Sequence, residues 1–428
     1  MRTLIGVSVL WLPLSMLFNS LQSIVLPVAV LRFVPAAGKA TALGWAIFIG
    51  LAAGTLIQPL AGSVSDHIAD KGRALGRRGP AILIGVLMAM VFLPGIAFAS
   101  NIWALVFAYV GLSVAVGIAQ AGSQGLMPDR IPARQRGSAS GLKGLLELLG
   151  SVLGFAVAGM FLKHGNIPGV MGAIGVALIA GALLAWMLLL PESTSDVPRE
   201  SSGRARGALQ LPTVGPVSAL AQQAAKHGRV RQQTNATLAR TLLSRFLFLL
   251  GVYGVGHFLL FYVRDRLHIG ASAAATTSGL FTLLTVVTAV VALSGGMLSD
   301  RFGRLPILWA AGAFSAAGVL ILIPAASLPL IVTGGAVMSV GSGLFASANW
   351  ALAADLAPAG QGGRFFGVVA LATGGATAAA GLFGPLIDHG GYNTLFVVAA
   401  LAFCISTVLL PRVAPAQDAQ PMTGVLSV

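Results

Sequence analysis

Twelve predominantly apolar stretches, separated by short polar breaks, constrain this chain more than anything else in it. A helix needs about 20 apolar residues to cross roughly 30 Å of hydrocarbon, whereas a barrel strand needs only about ten, alternating in polarity. The stretches here are continuous. Since a helix satisfies every backbone N–H and C=O within itself, the sequence predicts an all-α integral membrane bundle. Composition agrees: 56% hydrophobic and 9% charged residues, with a mean hydropathy of +0.89, leave too little polar surface for a water-soluble core. The spans are expected near residues 4–30, 42–65, 80–99, 102–127, 138–162 and 168–190, then 241–263, 271–298, 305–325, 328–353, 364–387 and 391–411.

The six-plus-six grouping follows from a repeat. Asp129-x-x-Pro132-Ala133-x-Gln135-x-Gly137-x-x-x-Gly141 recurs as Asp355-x-x-Pro358-Ala359-x-Gln361-x-Gly363-x-x-x-Gly367, each identity at the same offset. A second pattern, Gly62-x-x-Ser65-Asp66 with Gly76-Arg77 and Pro80, recurs as Gly296-x-x-Ser299-Asp300, Gly303-Arg304 and Pro306, the first copy carrying a longer loop. Two patterns repeated in the same order mark a duplicated half. The expected organisation is a bundle at 1–191, a polar cytoplasmic linker at 192–239, a second bundle at 240–412 and a cytoplasmic tail at 413–428. A short amphipathic helix on the membrane surface is expected near 217–230.

A formal charge of +14 points to nucleic acid in a soluble protein, so the placement of the 26 Lys and Arg residues decides its meaning. With both termini cytoplasmic and twelve crossings, twenty of them face inward, five outward (Arg32, Lys39, Lys163, Arg264, Arg266), and Lys143 lies within a span. That bias gives the orientation and accounts for the charge through topology and anionic lipid, with no nucleic-acid partner. The expected location is the plasma (inner) membrane, as a multi-pass monomer. The stretch from Leu4 to Val30 is too long for a signal-peptide core and reads as the first span. The lone Cys404 forms no internal disulfide.

Polar residues mark the helices that face water. Span one carries Ser15, Asn19, Gln22 and Ser23 along one helical face; span seven carries Tyr253 and His257; span eight carries Ser278, Thr282 and Thr285; span ten carries Ser342, Asn349 and Trp350. Two readings stand for the hydroxyls: they line a wet central path, or they bond the carbonyl one turn back. Amides such as Asn19 and Gln22 are not satisfied by that local bond alone. The expected substrate-binding set is Asn19, Gln22, Tyr253, His257, Asn349 and Trp350.

The second loop copy, Gly296-x-x-x-Asp300-Arg301-x-Gly303-Arg304, resembles the signature loop of the major facilitator superfamily. The resemblance extends over the six-plus-six layout and implies two pseudo-symmetric bundles rocking about a midplane site. It also implies a conformational latch made of Gly62, Asp66, Arg77, Gly296, Asp300, Arg301, Gly303 and Arg304, in which Asp66 holds the start of span eleven and Asp300 the start of span five when the cytoplasmic side is closed. A carboxylate suits that role because helix N-termini present open N–H groups. Gln58-Pro59-x-x-Gly62-x-x-x-Asp66 is locally similar to the sugar–cation symporters of the glycoside–pentoside–hexuronide and sucrose types, with Gln58 where the ion-holding acid of the cation symporters stands. Gly141, Gly150, Gly154 and Gly159 are spaced like the glycine motif of drug–proton antiporters, but Phe155 replaces its proline and span four has no arginine; close helix packing is the other reading.

Glu147 is the one acid well inside a span, about 13 Å deep at 1.5 Å per residue. An intramembrane carboxyl is a candidate for proton coupling, because its hold on a proton changes between a wet and a dry setting. Lys143, one turn earlier, offers the competing reading of a structural pair. No phosphate loop, His-Glu-x-x-His, paired cysteine or Gly-x-Ser-x-Gly is present, so neither enzyme chemistry nor a cofactor is expected. The resulting expectation is a secondary active transporter of a small polar, sugar-like solute, coupled to protons; the alternative is proton-coupled efflux of drug-like or metabolite molecules.

Overall fold

The computed structural model describes residues 2–67, 78–131, 135–189, 217–356 and 362–410, without the side chains of 66–67, 128, 136–138, 217–236, 354–355 and 362–366. The first bundle comprises α1 (Arg2–Val30), α2 (Lys39–His67), α3 (Gly79–Ala97), α4 (Ile102–Arg130), α5 (Arg136–Leu162) and α6 (Ile167–Leu188). The second begins with α7 (Val217–Leu267), α8 (Ala273–Phe302), α9 (Arg304–Leu322) and α10 (Leu328–Leu356). Its last apolar stretch is helical from Gly362 to Leu409 but breaks at Gly391, whose φ of 73° suits a residue without a β-carbon. The chain reverses there: Gly384 packs on Ala40 at one end, while Ser406 bonds Ser244 toward the other. The segments 362–390 and 392–409 are therefore α11 and α12, which gives six long helices in each bundle among the described residues.

Helix α7 runs unbroken from Val217, so the short helix expected near 217–230 is the leading part of one longer helix whose apolar span begins at Thr237. Of the expected linker, 192–216 lies outside the described residues, as does the tail from 411. Helix α1 is not uniform. Pro27 has no N–H and its ring crowds the preceding turn, and the helix widens into a π turn at Leu21–Val25.

Small residues let helices approach closely where no hydrophobic drive operates between lipid-facing surfaces. A β-carbon on Gly150 would meet the Leu12 backbone, with the carbonyl carbon at 2.9 Å, and one on Gly154 would stand 2.5 Å from the Met16 carbonyl oxygen. These glycines of α5 seat α1 against it, in line with the packing reading; Gly141 has nothing within 4 Å. Phe155, in the position where the antiporter pattern has proline, stacks on Phe281 of α8 at 4.8 Å and ties the two bundles together.

Within the first bundle Arg78, at the start of α3, pairs with Asp129 at the end of α4 (3.0 Å). The repeat that aligns Asp129 with Asp355 also aligns Arg78 with Arg304, so Arg78 rather than Arg77 is the structural counterpart of Arg304. Arg77 and the Asp66 side chain lie outside the described residues.

Candidate functional site

The bundles meet at one end and part at the other. At the first, Lys39 at the start of α2 pairs with Asp265 at the end of α7, and the Tyr392 hydroxyl donates to the same carboxylate (2.6 Å). Asp388 of α11 accepts the N–H groups of Ala40 (3.3 Å) and Thr41 (2.7 Å), the open donors at the N-terminus of α2. Below these contacts Gly44 and Gly381 bring α2 and α11 into backbone contact, and Gly159 of α5 lies against Ser278 of α8. At the far end, Gly62, Gly141, Gly144, Gly296 and Gly367 face nothing within 4 Å.

Asp300 lies at this parted end, with its side chain largely exposed, and is held by Arg304 one turn later in the next helix; the same guanidinium donates to Ser299 (2.8 Å). Among the described residues its partner is Arg304 and not the start of α5, and the expected Asp300 latch belongs to the other conformation, in which this end is closed. Gly303 has a φ of 89° and supplies the turn between α8 and α9, and Arg301 lies over the ring of Phe302. The acid-on-helix-terminus device is found instead at the closed end, in Asp388. The sequence signal for it is Asp388 in the polar break before span twelve, opposite Lys39. Replacing Asp388 with Ala is expected to weaken that closure by about 1–2 kcal/mol, the worth of a charged cap on a helix start. Spin labels placed across this end should register a growing open population; an unchanged distance distribution would show that the carboxylate holds nothing.

Between the bundles lies a cavity of about 320 Å³. Asn19 and Ser23 of α1 and Leu148, Ser151 and Phe155 of α5 line one side; Val252, Tyr253, Gly256 and His257 of α7, Phe281, Thr285 and Thr288 of α8, and Met338 and Ser342 of α10 line the other. Asn19 donates to the Ser15 carbonyl (3.1 Å) and to Ser151 Oγ (2.9 Å), while Ser151, Thr288 and Ser342 each donate to a carbonyl one turn back. His257 Nε2 lies 3.3 Å from the Thr377 carbonyl, which only accepts, so that nitrogen carries the hydrogen. Its buried Nδ1 is left as an acceptor without a partner.

Three of the six expected binding residues thus share the cavity: Asn19, Tyr253 and His257. The other three do not line it. Gln22 is buried against Tyr109 inside the first bundle, because successive residues of a helix diverge by about 100° and the polar stripe of α1 is too wide for one cavity. Asn349 is fully buried and accepts from Arg245; Trp350 is 48% exposed, with the Arg245 guanidinium 4.8 Å above its ring. Arg245 is the residue that sequence reasoning missed. It is only 6% exposed, whereas the charge pattern assigned it to the cytoplasmic region.

Glu147 pairs with Lys143 at 3.2 Å, both side chains about one-third exposed, and Lys143 lies 3.9 Å over the Trp11 ring. No cluster of metal-ligating side chains occurs among the described residues.

The sequence profile of the Major Facilitator Superfamily matches residues 12–293 and again 241–424. The chain belongs to this superfamily. No curated protein matches it in sequence. This superfamily member shares its fold with a D-xylose–proton symporter (16% identity, TM-score 0.68, 97% of each chain). It is similarly related to a peptide transporter solved with sulfate (13% identity, TM-score 0.68, 96% of this chain and 94% of that one). A human organic anion transporter also matches (17% identity, TM-score 0.62, 96% and 98%). At such identities the likeness carries the fold alone.

Proposed function

We propose that this superfamily member is a secondary active transporter working by alternating access, with proton coupling through Glu147 and with the Asp300 end facing the cytoplasm. The observation that supports this best is a cavity shared by both bundles whose exit past Lys39, Asp265 and Asp388 is bridged while the bundles part toward Gly62 and Gly296. One class of conformation is in view, open toward the basic face, and rocking the bundles about the cavity gives the other.

The lining favours the drug-like or metabolite class over a sugar. Its volume is at the small end of ligand sites, roughly 300–1000 Å³, and Leu, Val, Phe and Met side chains make up much of its wall. Ser151, Thr288 and Ser342 donate to their own helices, so toward a sugar they can only accept, and the lining has few donors left for sugar oxygens. A molecule with an apolar body and one or two polar groups fits better.

The test is gradient-driven flux in proteoliposomes of the purified protein. A proton gradient should drive an amphipathic metabolite across the bilayer, inward for symport and outward for antiport, with little movement of hexoses. Robust hexose transport without amphipathic flux would overturn the substrate assignment, and gradient-independent flux would overturn the coupling.

A further inference from the structure

Arg245 lies directly beneath the cavity, on the way to its open end. Arg245, Val252 and Leu259 follow one another at seven-residue spacing on α7, and the latter two line the cavity. Seven residues are close to two full turns, so the three share one face, with Arg245 about 10.5 Å below Val252. On α10 the same spacing links Gly335 and Ser342, both in the lining, to Asn349. Arg245 and Asn349 are therefore the next layer of the same wall.

That layer holds donors in excess. The guanidinium donates from Nη1 to the Asn349 side-chain oxygen and from Nε to Thr373 Oγ1 (3.1 Å). Two of its five N–H groups are used, and no carboxylate pairs with it among the described residues. Asn349 is 0% exposed, and its Nδ2 has no partner. A flipped amide does not relieve this, since it turns two more N–H groups toward the guanidinium. Three guanidinium hydrogens beyond those two bonds and an unpartnered amide nitrogen thus share a layer that holds one positive charge, faced by the Trp350 ring at 4.8 Å and by no carboxylate among the described residues. A buried cation in that state calls for an anion.

We propose that Arg245 and Asn349 form an anion subsite that takes the carboxylate of the transported substrate, with its apolar body in the cavity above. This assignment rests on the carrier reading and narrows it to amphipathic monocarboxylates. One guanidinium balances one negative charge, which disfavours a phosphate ester carrying nearly two, and its planar fork matches the two oxygens of a carboxylate. Amines are disfavoured because no acid lines the cavity.

The test measures thermal stabilisation of the purified full-length protein by alkyl and aryl monocarboxylates, alongside their matched primary amides and amines. Carboxylates should stabilise the protein and the matched amides and amines much less. Arg245→Gln should weaken carboxylate binding about tenfold or more, as loss of a charged hydrogen-bond partner does. Because that change also removes bonds joining three helices, Asn349→Asp provides the second variant. It keeps the shape and gives Arg245 an internal carboxylate, so the variant should be at least as stable as the parent yet unresponsive to the acids. The proposal fails if no carboxylate stabilises the parent, if amides match the acids, or if Asn349→Asp binds acids undiminished. Amides that bind and are transported would leave the carrier reading standing while removing the anion subsite.

Discussion

Placing a β-branched side chain at Gly44 is expected to abolish transport by this superfamily member while leaving both bundles folded. Gly44 of α2 and Gly381 of α11 are in backbone contact across the bundle interface. A β-carbon on Gly44 would run into the Gly381 carbonyl oxygen and stand 3.2 Å from the α-carbon of Gly384. Nothing flexible is available to give way, since every atom met belongs to the backbone. Inserting carbon atoms into such a contact costs about 1–3 kcal/mol, and the upper figure, about a hundredfold in population, falls on the state in which this end is closed. Each bundle's interior is untouched by the change. Gly44→Val should therefore yield folded protein in which distances across the Lys39–Asp265 end lengthen, and transport should fall about a hundredfold, because the cycle needs this closed state. Gly62→Val is the matched control: that glycine faces nothing within 4 Å in the present conformation and should leave the same distances unchanged. Wild-type distances in Gly44→Val would show that the two helices separate without consequence.

The contrast between those glycines also shows what a sequence of this kind discloses. The twelve long helices were legible because apolar length alone determines whether a helix can span, and the duplicated loops located the two halves. Even the reversal between spans eleven and twelve is written in Gly390-Gly391. What local pattern does not carry is which polar residues meet. Arg245 lies near the basic cluster that precedes span seven, and only Asn349 and Thr373, about a hundred and more positions later, turn it from a loop charge into a buried one. Gln22 shares a stripe with Asn19, but the π turn and the 100° step between neighbours turn it into the first bundle. The latch expectation concerns the other conformation. Asp300 is written into the signature loop, yet whether it reaches α5 depends on which end of the carrier is open, and a single sequence encodes both conformations. The closing device that operates in this one, Asp388 on the start of α2, belongs to no repeated motif.

Neutralising Glu147 is expected to uncouple the carrier without stopping it. In the open conformation its carboxylate is bridged to Lys143 and partly exposed, and Lys143 in turn rests on Trp11 of α1, so the pair is anchored to one bundle. Its backbone carbonyl accepts from Ser151, which holds Asn19 in the cavity wall, so the acid is one helical turn from the site. Closing this end brings α5 toward α8 and withdraws water from the pair. An ionised side chain held at depth in a dry bilayer setting costs on the order of 2.5–3.5 kcal/mol, and taking up a proton removes that cost for Glu147. Glu147→Gln mimics the protonated form. It should eliminate accumulation against a gradient, a loss set by the size of the gradient applied, while exchange of labelled for unlabelled substrate continues at near wild-type rates. Lys143→Met separates the two readings of the pair. If Glu147 couples, this variant keeps gradient-driven accumulation, since the carboxyl that carries the proton is still present. If accumulation survives in Glu147→Gln, the two residues are a structural pair and the coupling proton is carried elsewhere.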